Sequence, residues 1–275
     1  MSTIAFPSRV ESSTSFANAA LRGAARLWFV IAVLGQWMFA FYVVVFYGAL
    51  TARGGFPAWN KALFRGYIPG DMIGNVILVA HLSLAVILLI GGPLQFSAKI
   101  RRHAPAFHHW NGRIYMVSVI VASVGGAYMV WARRTLGDNM QHAAQTLDAI
   151  LVVIFALFAL RYAMARDFAT HRRWVLRLFL AANAVWFKRL GFPLWMLLNG
   201  GRPVGFDSET FTGPFLSILE FGSFLLPLTI LELYLWSETR AGARGRLATA
   251  TVLLVATVAM SIGIVLSSRG WLARL

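Results

Sequence analysis

The chain has 275 residues, of which 59% are hydrophobic and 13% charged, and its mean hydropathy is +0.68. A soluble globule of this size could not cover so much apolar surface, so the composition excludes a soluble protein and predicts one embedded in a lipid bilayer. The net charge of +15 is spread beside apolar stretches, which favours anionic lipid headgroups over nucleic acid as its counterpart. The absence of cysteine excludes disulfides, iron–sulfur clusters and thiol chemistry.

The N-terminal residues are polar and include Glu11, and no compact apolar segment lies near the start, so a cleaved signal peptide is not expected. Seven apolar stretches near 20 residues follow, the length that crosses about 30 Å of hydrocarbon. They cover residues 28–50, 73–97, 113–132, 143–163, 172–192, 213–237 and 247–267. We therefore expect an all-α membrane protein with about seven transmembrane helices: a cytoplasmic N-terminal segment, 1–27, and a single helical-bundle domain, 28–275.

Lys and Arg residues are unevenly divided between the two ends of these spans. The N-terminal segment and the loops after the second, fourth and sixth spans hold 15 of the 25. Because cytoplasmic loops retain more Lys and Arg, this bias predicts a cytoplasmic N-terminus and an external C-terminus.

Histidines fall into two groups at matching depths of the predicted bundle. His108 and His109 lie at the entrance to the third span, and His171 lies at the start of the fifth, all on the predicted cytoplasmic side. His81 lies about two turns into the second span, and His142 opens the fourth span from the opposite side. The remaining length of the second span leaves room for two stacked sites.

This pattern suits b-type haem, whose iron takes two imidazole nitrogens from neighbouring helices and whose propionates need cations near the membrane surface. His81 with His142 forms one candidate pair, and His108 or His109 with His171 forms the other. Five arginines surround the second pair: Arg101, Arg102, Arg113, Arg172 and Arg173. The sequence thus predicts a membrane-bound cytochrome with one or two haem b groups, an oxidoreductase that passes electrons across or within the membrane, with quinol as a candidate donor.

A non-redox function is the alternative. Four of these histidines lie near an interface, where placing an imidazole has a small cost in free energy. Each of them, considered alone, is interpreted as a hydrogen-bonding residue. The deeper His81 is suited to ligation or to proton handling. A proton-coupled transporter would use His81, Asp148, Glu220 and Glu232, and an accessory or assembly subunit of a larger membrane complex is a further reading. The run 188–203 is interpreted mainly as the outer end of the fifth span followed by an interfacial piece, with a quinone pocket as the other interpretation.

Three stretches carry a family resemblance: "HLSLAVILLIGGPLQF" (81–96), "RRHAPAFHHWNGRIY" (101–115) and "HRRWVLRLF" (171–179). They resemble a bacterial family of predicted membrane proteins, domain of unknown function 2306, which implies a multi-pass protein of the bacterial inner membrane. In that family's pattern a histidine stands four residues before the Gly of Gly-Arg-x-Tyr, which selects His108, whereas His142 has no firm counterpart. The pairing of the second span with the fourth, and of the third with the fifth, also resembles the architecture of cytochrome b561-type diheme proteins.

Overall fold

The computed structural model describes the backbone of residues 9–275 and the side chains of residues 14–275. Within this range the chain is helical and forms no strand, only an isolated bridge between Asp207 and Thr212. A short 3-10 helix, Phe56–Lys61, lies in the first loop. The α-helices are α1 (Arg9–Gly54), α2 (Met72–Leu94), α3 (Ala98–His103), α4 (Pro105–Trp131), α5 (Asn139–Met164), α6 (Phe168–Ala181), α7 (Ala184–Leu198), α8 (Pro214–Arg240) and α9 (Ala243–Leu272). The all-α prediction is confirmed.

Six helices of the described chain are long and apolar enough to cross a membrane: α1, α2, α4, α5, α8 and α9. The predicted fifth span, 172–192, instead consists of α6 and α7, which are each too short to be counted alone. With that pair the molecule agrees with an expected count of about seven, and it is a multi-pass membrane protein. Helix α1 runs unbroken through residue 28, so the proposed boundary between segment and domain lies inside a helix.

The break between α6 and α7 has a local cause in a buried asparagine. The backbone N–H of Asn183 donates to the Leu180 carbonyl, as in a tight turn. Its side-chain Nδ2 donates to the Phe179 carbonyl at 2.7 Å and so replaces the bond that a continuing helix would make. Asparagine competes with the backbone in this way, and a broken helix is tolerated at membrane depth where it is enclosed by protein or lines a cavity.

Two of the apolar clusters in the bundle position the candidate site. One joins α1, α7 and α9 through Phe39, Trp186 and Met260, and the other joins α4, α5 and α6 through Val119, Val152 and Leu178. Helix α2 packs against α1 on one side and α4 on the other, and α8 packs against α5, α6, α7 and α9. Side chains of both clusters also line a central cavity, so the cores fix the walls of the candidate site.

Candidate functional site

A cavity of about 450 Å³ lies between the spans and reaches the loop between α1 and α2 at residues 62–66. Most of its wall is apolar, as is usual for sites that bind small molecules. Polar and charged side chains nevertheless face it, among them His81, Gln145, Asp148, Arg189, Glu220 and Arg274. Of the four predicted ligand histidines, His81 alone lines this cavity.

His81 is held by the main chain of α4. Its Nδ1 lies 3.0 Å from the Ala122 carbonyl oxygen, which can only accept, so Nδ1 carries the proton and Nε2 keeps a lone pair. Gly126 packs closely against the ring, because a Cβ at this position would lie 3.4 Å from His81 Cε1. The imidazole is therefore fixed in the tautomer whose Nε2 can bind iron or accept a proton.

His142 has different surroundings. It is buried at the start of α5, with its ring edge-on to Trp131 at a centroid distance of 5.7 Å. Its Nε2 lies 3.1 Å from the Thr135 carbonyl, so that nitrogen carries the proton and Nδ1 holds the lone pair. The shared site of His81 and His142 stays a prediction, and ligation through Nε2 would require His142 to release Thr135.

At the other end of the bundle, α6 begins with a cap that positions His171. The Asp167 side chain accepts the Thr170 amide at 3.1 Å, and hydrogen bonds from the Thr170 hydroxyl and amide lower the pKa of this carboxyl. His171, one turn into the helix, directs Nδ1 to the Ala159 carbonyl of α5 at 2.8 Å. His171 therefore has the same tautomer as His81, with the lone pair on Nε2.

His108 lies in the first turn of α4 and is brought close to His171. It interacts electrostatically with Arg101, His109 and His171, and the rings of His108 and His109 are 5.9 Å apart. Within the described chain its buried Nδ1 has no hydrogen-bond partner. Unpartnered buried polar atoms are uncommon and call for an explanation, one of which is a missing bound group.

A set of contacts between α2 and α4, which sequence reasoning did not identify, positions His108. The Asn111 amide donates to the Gly91 carbonyl at 2.9 Å, and the Gln95 amide donates to the His108 carbonyl at 3.3 Å. Gly92 lets the Tyr115 ring approach closely. The residues of "GGPLQF" and "HHWNGRIY" thus serve largely to join the two helices. The glycine pair in the first motif was the sequence feature that could have indicated this close helix contact.

The five arginines predicted to hold propionates are all exposed at the end where His108 and His171 lie. Arg113 lies over the Trp110 ring at 5.0 Å, and Arg172 forms an ion pair with Glu238 at 3.5 Å. Arg101 is an electrostatic neighbour of His108. A positive rim thus surrounds the histidine pair. It consists of Arg101, Arg102, Arg113, Arg172 and Arg173.

The predicted carboxylates separate into two places. Glu232 forms a two-bond ion pair with Arg177 at 2.7 and 2.9 Å and does not line the cavity. Glu220 does line it, accepting from Lys188 at 2.7 Å and from Gln145 at 3.0 Å.

Asp148 faces the same cavity near Glu220 and Lys188. Its Oδ1 is buried and, within the described chain, has no hydrogen-bond partner. Sequence reasoning treated Lys188 and Arg189 as the outer end of a span; both lie instead in the first half of α7, and their position after Asn183 is visible only once the helix break is known.

Among the described residues, no group of three or more His, Asp and Glu side chains could hold a metal ion. A b-type haem takes only two ligands from the protein, so its site has to be judged from histidine pairs.

The family resemblance drawn from the three motifs is confirmed. A family model described as predicted membrane protein (DUF2306) matches residues 78–208, a stretch that contains α4 to α7 and all four candidate ligand histidines. Glu220 and Arg274 lie outside the match. Comparison with curated proteins and with solved structures gave no match. The family description supports a membrane protein and names no activity.

Proposed function

We propose that this protein is a b-type cytochrome of the bacterial inner membrane that holds haem between His108 and His171 and passes electrons within or across the bilayer. One observation carries the proposal: His171 is anchored through Nδ1, which leaves Nε2 for iron, and it lies beside His108 within a rim of arginines. Ligating histidines usually donate their second nitrogen to a carbonyl in this way.

The residues of this pair fit the cofactor. Haem, when bound, supplies a one-electron carrier that no side chain of this cysteine-free protein can replace. Arg101, close to His108, and Arg173, two residues after His171, supply positive charge for propionates at the membrane surface. The Asp167 cap and the Ala159 carbonyl hold the His171 ring in one orientation, which is what axial ligation demands.

A second haem, between His81 and His142, extends the proposal. His81 offers Nε2 in the cavity, as the pair requires. His142 must either turn its ring away from Thr135 or coordinate through Nδ1. A quinol is the favoured donor, because the cavity is largely apolar and Asp148 offers an unpartnered carboxyl oxygen as a proton acceptor.

The test is a spectrum of the purified protein with quantitation of extracted haem. We expect a reduced α-band typical of b-type haem, and we expect His108→Ala and His171→Ala each to lose one haem equivalent. His109→Ala is the matched control: it is the neighbouring residue, about 100° around the helix, and should keep full haem content. Unchanged haem in His171→Ala, with the protein folded, would overturn the assignment.

Proton-coupled transport is the second candidate, favoured by Asp148 and Glu220, which line the cavity, and by Lys188, which pairs with Glu220. Ionisable groups at this depth commonly mark proton or ion pathways. Colourless protein that acidifies proteoliposomes in a substrate-dependent manner, and that loses this activity in Asp148→Asn, would favour transport over electron transfer.

A further inference from the structure

Independently of haem, we propose that the central cavity binds a small organic anion, a carboxylate with an apolar body, through Arg189 and Arg274. Both arginines line the end of the cavity where α1 and α9 finish. The family match does not extend to Arg274, so the site is assigned from this chain's own geometry.

Arg189 is a cation that lines the cavity and, among the described residues, has no anionic partner. Its guanidinium lies 5.0 Å from the centre of the Phe39 ring, and its electrostatic neighbours are Tyr42, Tyr47 and Arg274. Within residues 14–275 it has no ion pair and no side-chain hydrogen bond, and much of its surface faces the cavity. A ligand that enters the cavity can therefore reach this unpaired guanidinium, and its charge favours an anionic group on that ligand.

Two nearby cations are neutralised, whereas Arg65, which also lines the cavity, donates to the Arg133 carbonyl and forms no ion pair among the described residues. Lys188 pairs with Glu220 at 2.7 Å, and Arg133 pairs with Asp71 at 3.0 Å. Arg189 and Arg274 instead have each other as neighbours, and two like charges repel. An anion between them would offset both charges, and guanidinium groups bind carboxylates through parallel hydrogen bonds.

Aromatic rings at the same end favour an apolar body on that anion. Trp271 contacts Phe39 at a ring-centroid distance of 4.8 Å and Tyr42 at 5.6 Å, and all three line the cavity. The deeper part carries the carboxyl groups of Asp148 and Glu220 and, within the described chain, offers no free cation that could pair with a second negative group. A monocarboxylate with its head at the arginines therefore fits the charges, and about 450 Å³ suits a small molecule.

The experiment measures benzoate binding to the purified full chain in a neutral detergent, by Trp fluorescence and calorimetry at fixed ionic strength. Benzamide has nearly the same shape without the charge. We expect benzoate to bind at least about tenfold tighter than benzamide, since hydrogen bonds to charged groups contribute more than neutral ones. Equal affinities for the two compounds, or no binding of benzoate, would overturn the proposal.

Variants locate the site. Arg189→Gln and Arg274→Gln should each weaken benzoate binding by roughly ten- to hundredfold and leave benzamide unaffected. Arg202→Gln is the control, because this exposed arginine lies in the loop after α7 and does not line the cavity. Should Arg189→Gln fail to fold, the exposed Arg274 carries the test, and unchanged binding in Arg274→Gln refutes the site. Haem spectra are recorded on the same samples, so that failure of the cytochrome proposal is distinguished from failure of the anion site.

Discussion

At the scale of single residues, a backbone carbonyl decides what each imidazole can do. Ala122 and Ala159 accept from Nδ1 of His81 and His171, and both histidines keep Nε2 available. Thr135 accepts from Nε2 of His142 instead. The sequence proposed all three histidines as ligands, and the position of one carbonyl oxygen separates them chemically.

The outer pair gives a residue-level prediction. If His81 and His142 share a second haem, His81→Ala and His142→Ala should each remove the same spectral component and leave the inner haem intact. The measurement is the reduced-minus-oxidised spectrum with redox titration of both variants. Loss in His81→Ala alone would show that His142 stays bonded to Thr135 and that His81 has another partner.

Gly92 gives a second residue-level prediction. A Cβ at this position would lie 2.9 Å from Cε2 of Tyr115 and 3.4 Å from the Phe179 ring, both buried. Gly92→Ala should therefore lower the free energy of unfolding by about 1–3 kcal/mol, the usual cost of overpacking. Unfolding in detergent, followed by circular dichroism, measures it. Gly222→Ala is the control, because a Cβ in that helix meets nothing within 4 Å, and stability should hold or rise.

At the scale of elements, the long spans were predictable and the broken one was not. Apolar length alone places α2, α4, α5, α8 and α9, because a bilayer imposes about 20 apolar residues per crossing. The break at Ala182–Asn183 was missed, since no Gly or Pro marks it and the deciding bond runs from a side chain to the preceding turn.

The candidate site was predictable only in part, for a related reason. Sequence gives a residue's depth along its helix, and this placed His108 and His171 at one end of the bundle, where they interact electrostatically in the structure. It does not give the direction a residue faces, and that depends on neighbours distant in the chain. Glu220, the partner of Lys188, and Arg189 both line the cavity. These positions follow from the packing of α7 against α8 and α9, which the sequence does not show.

The helix break can be tested through its buried hydrogen bond. Asn183 is 4% exposed, and Asn183→Ala would leave the Phe179 carbonyl without that partner inside the protein. We expect a loss of about 1–3 kcal/mol in unfolding free energy. Asn199 makes the same type of bond, to the Trp195 carbonyl at 2.9 Å, but at the half-buried end of α7. Because water can replace that bond, Asn199→Ala should change stability by less than about 0.5 kcal/mol. Equal losses would mean that the burial of Asn183 has no special role.

At the scale of the whole molecule, the paired helices α6 and α7 determine the topology. Arg172 at the start of α6 pairs with Glu238 near the end of α8, whereas the Arg189 carbonyl in α7 accepts from Ser267 near the end of α9. Helices α8 and α9 run consecutively in opposite directions, so the two short helices together extend from one end of the bundle to the other. Their 14 and 15 residues rise roughly 40 Å, enough for about 30 Å of hydrocarbon.

This crossing predicts the side of each loop. Three crossings, α4, α5 and the α6–α7 pair, separate Pro105 from Gly205, and 15 of the 25 Lys and Arg residues lie on the side of Pro105. Because such residues are retained in the cytoplasm, an alkaline phosphatase fusion after Pro105 should be inactive and one after Gly205 active. A fusion after Gly242, one further crossing along, should be inactive again and serves as the control. Equal phosphatase activity of the fusions after Pro105 and Gly205 would mean that α6 and α7 enter and leave the membrane by one face. The rim of arginines and the central cavity would then lie at the same membrane surface.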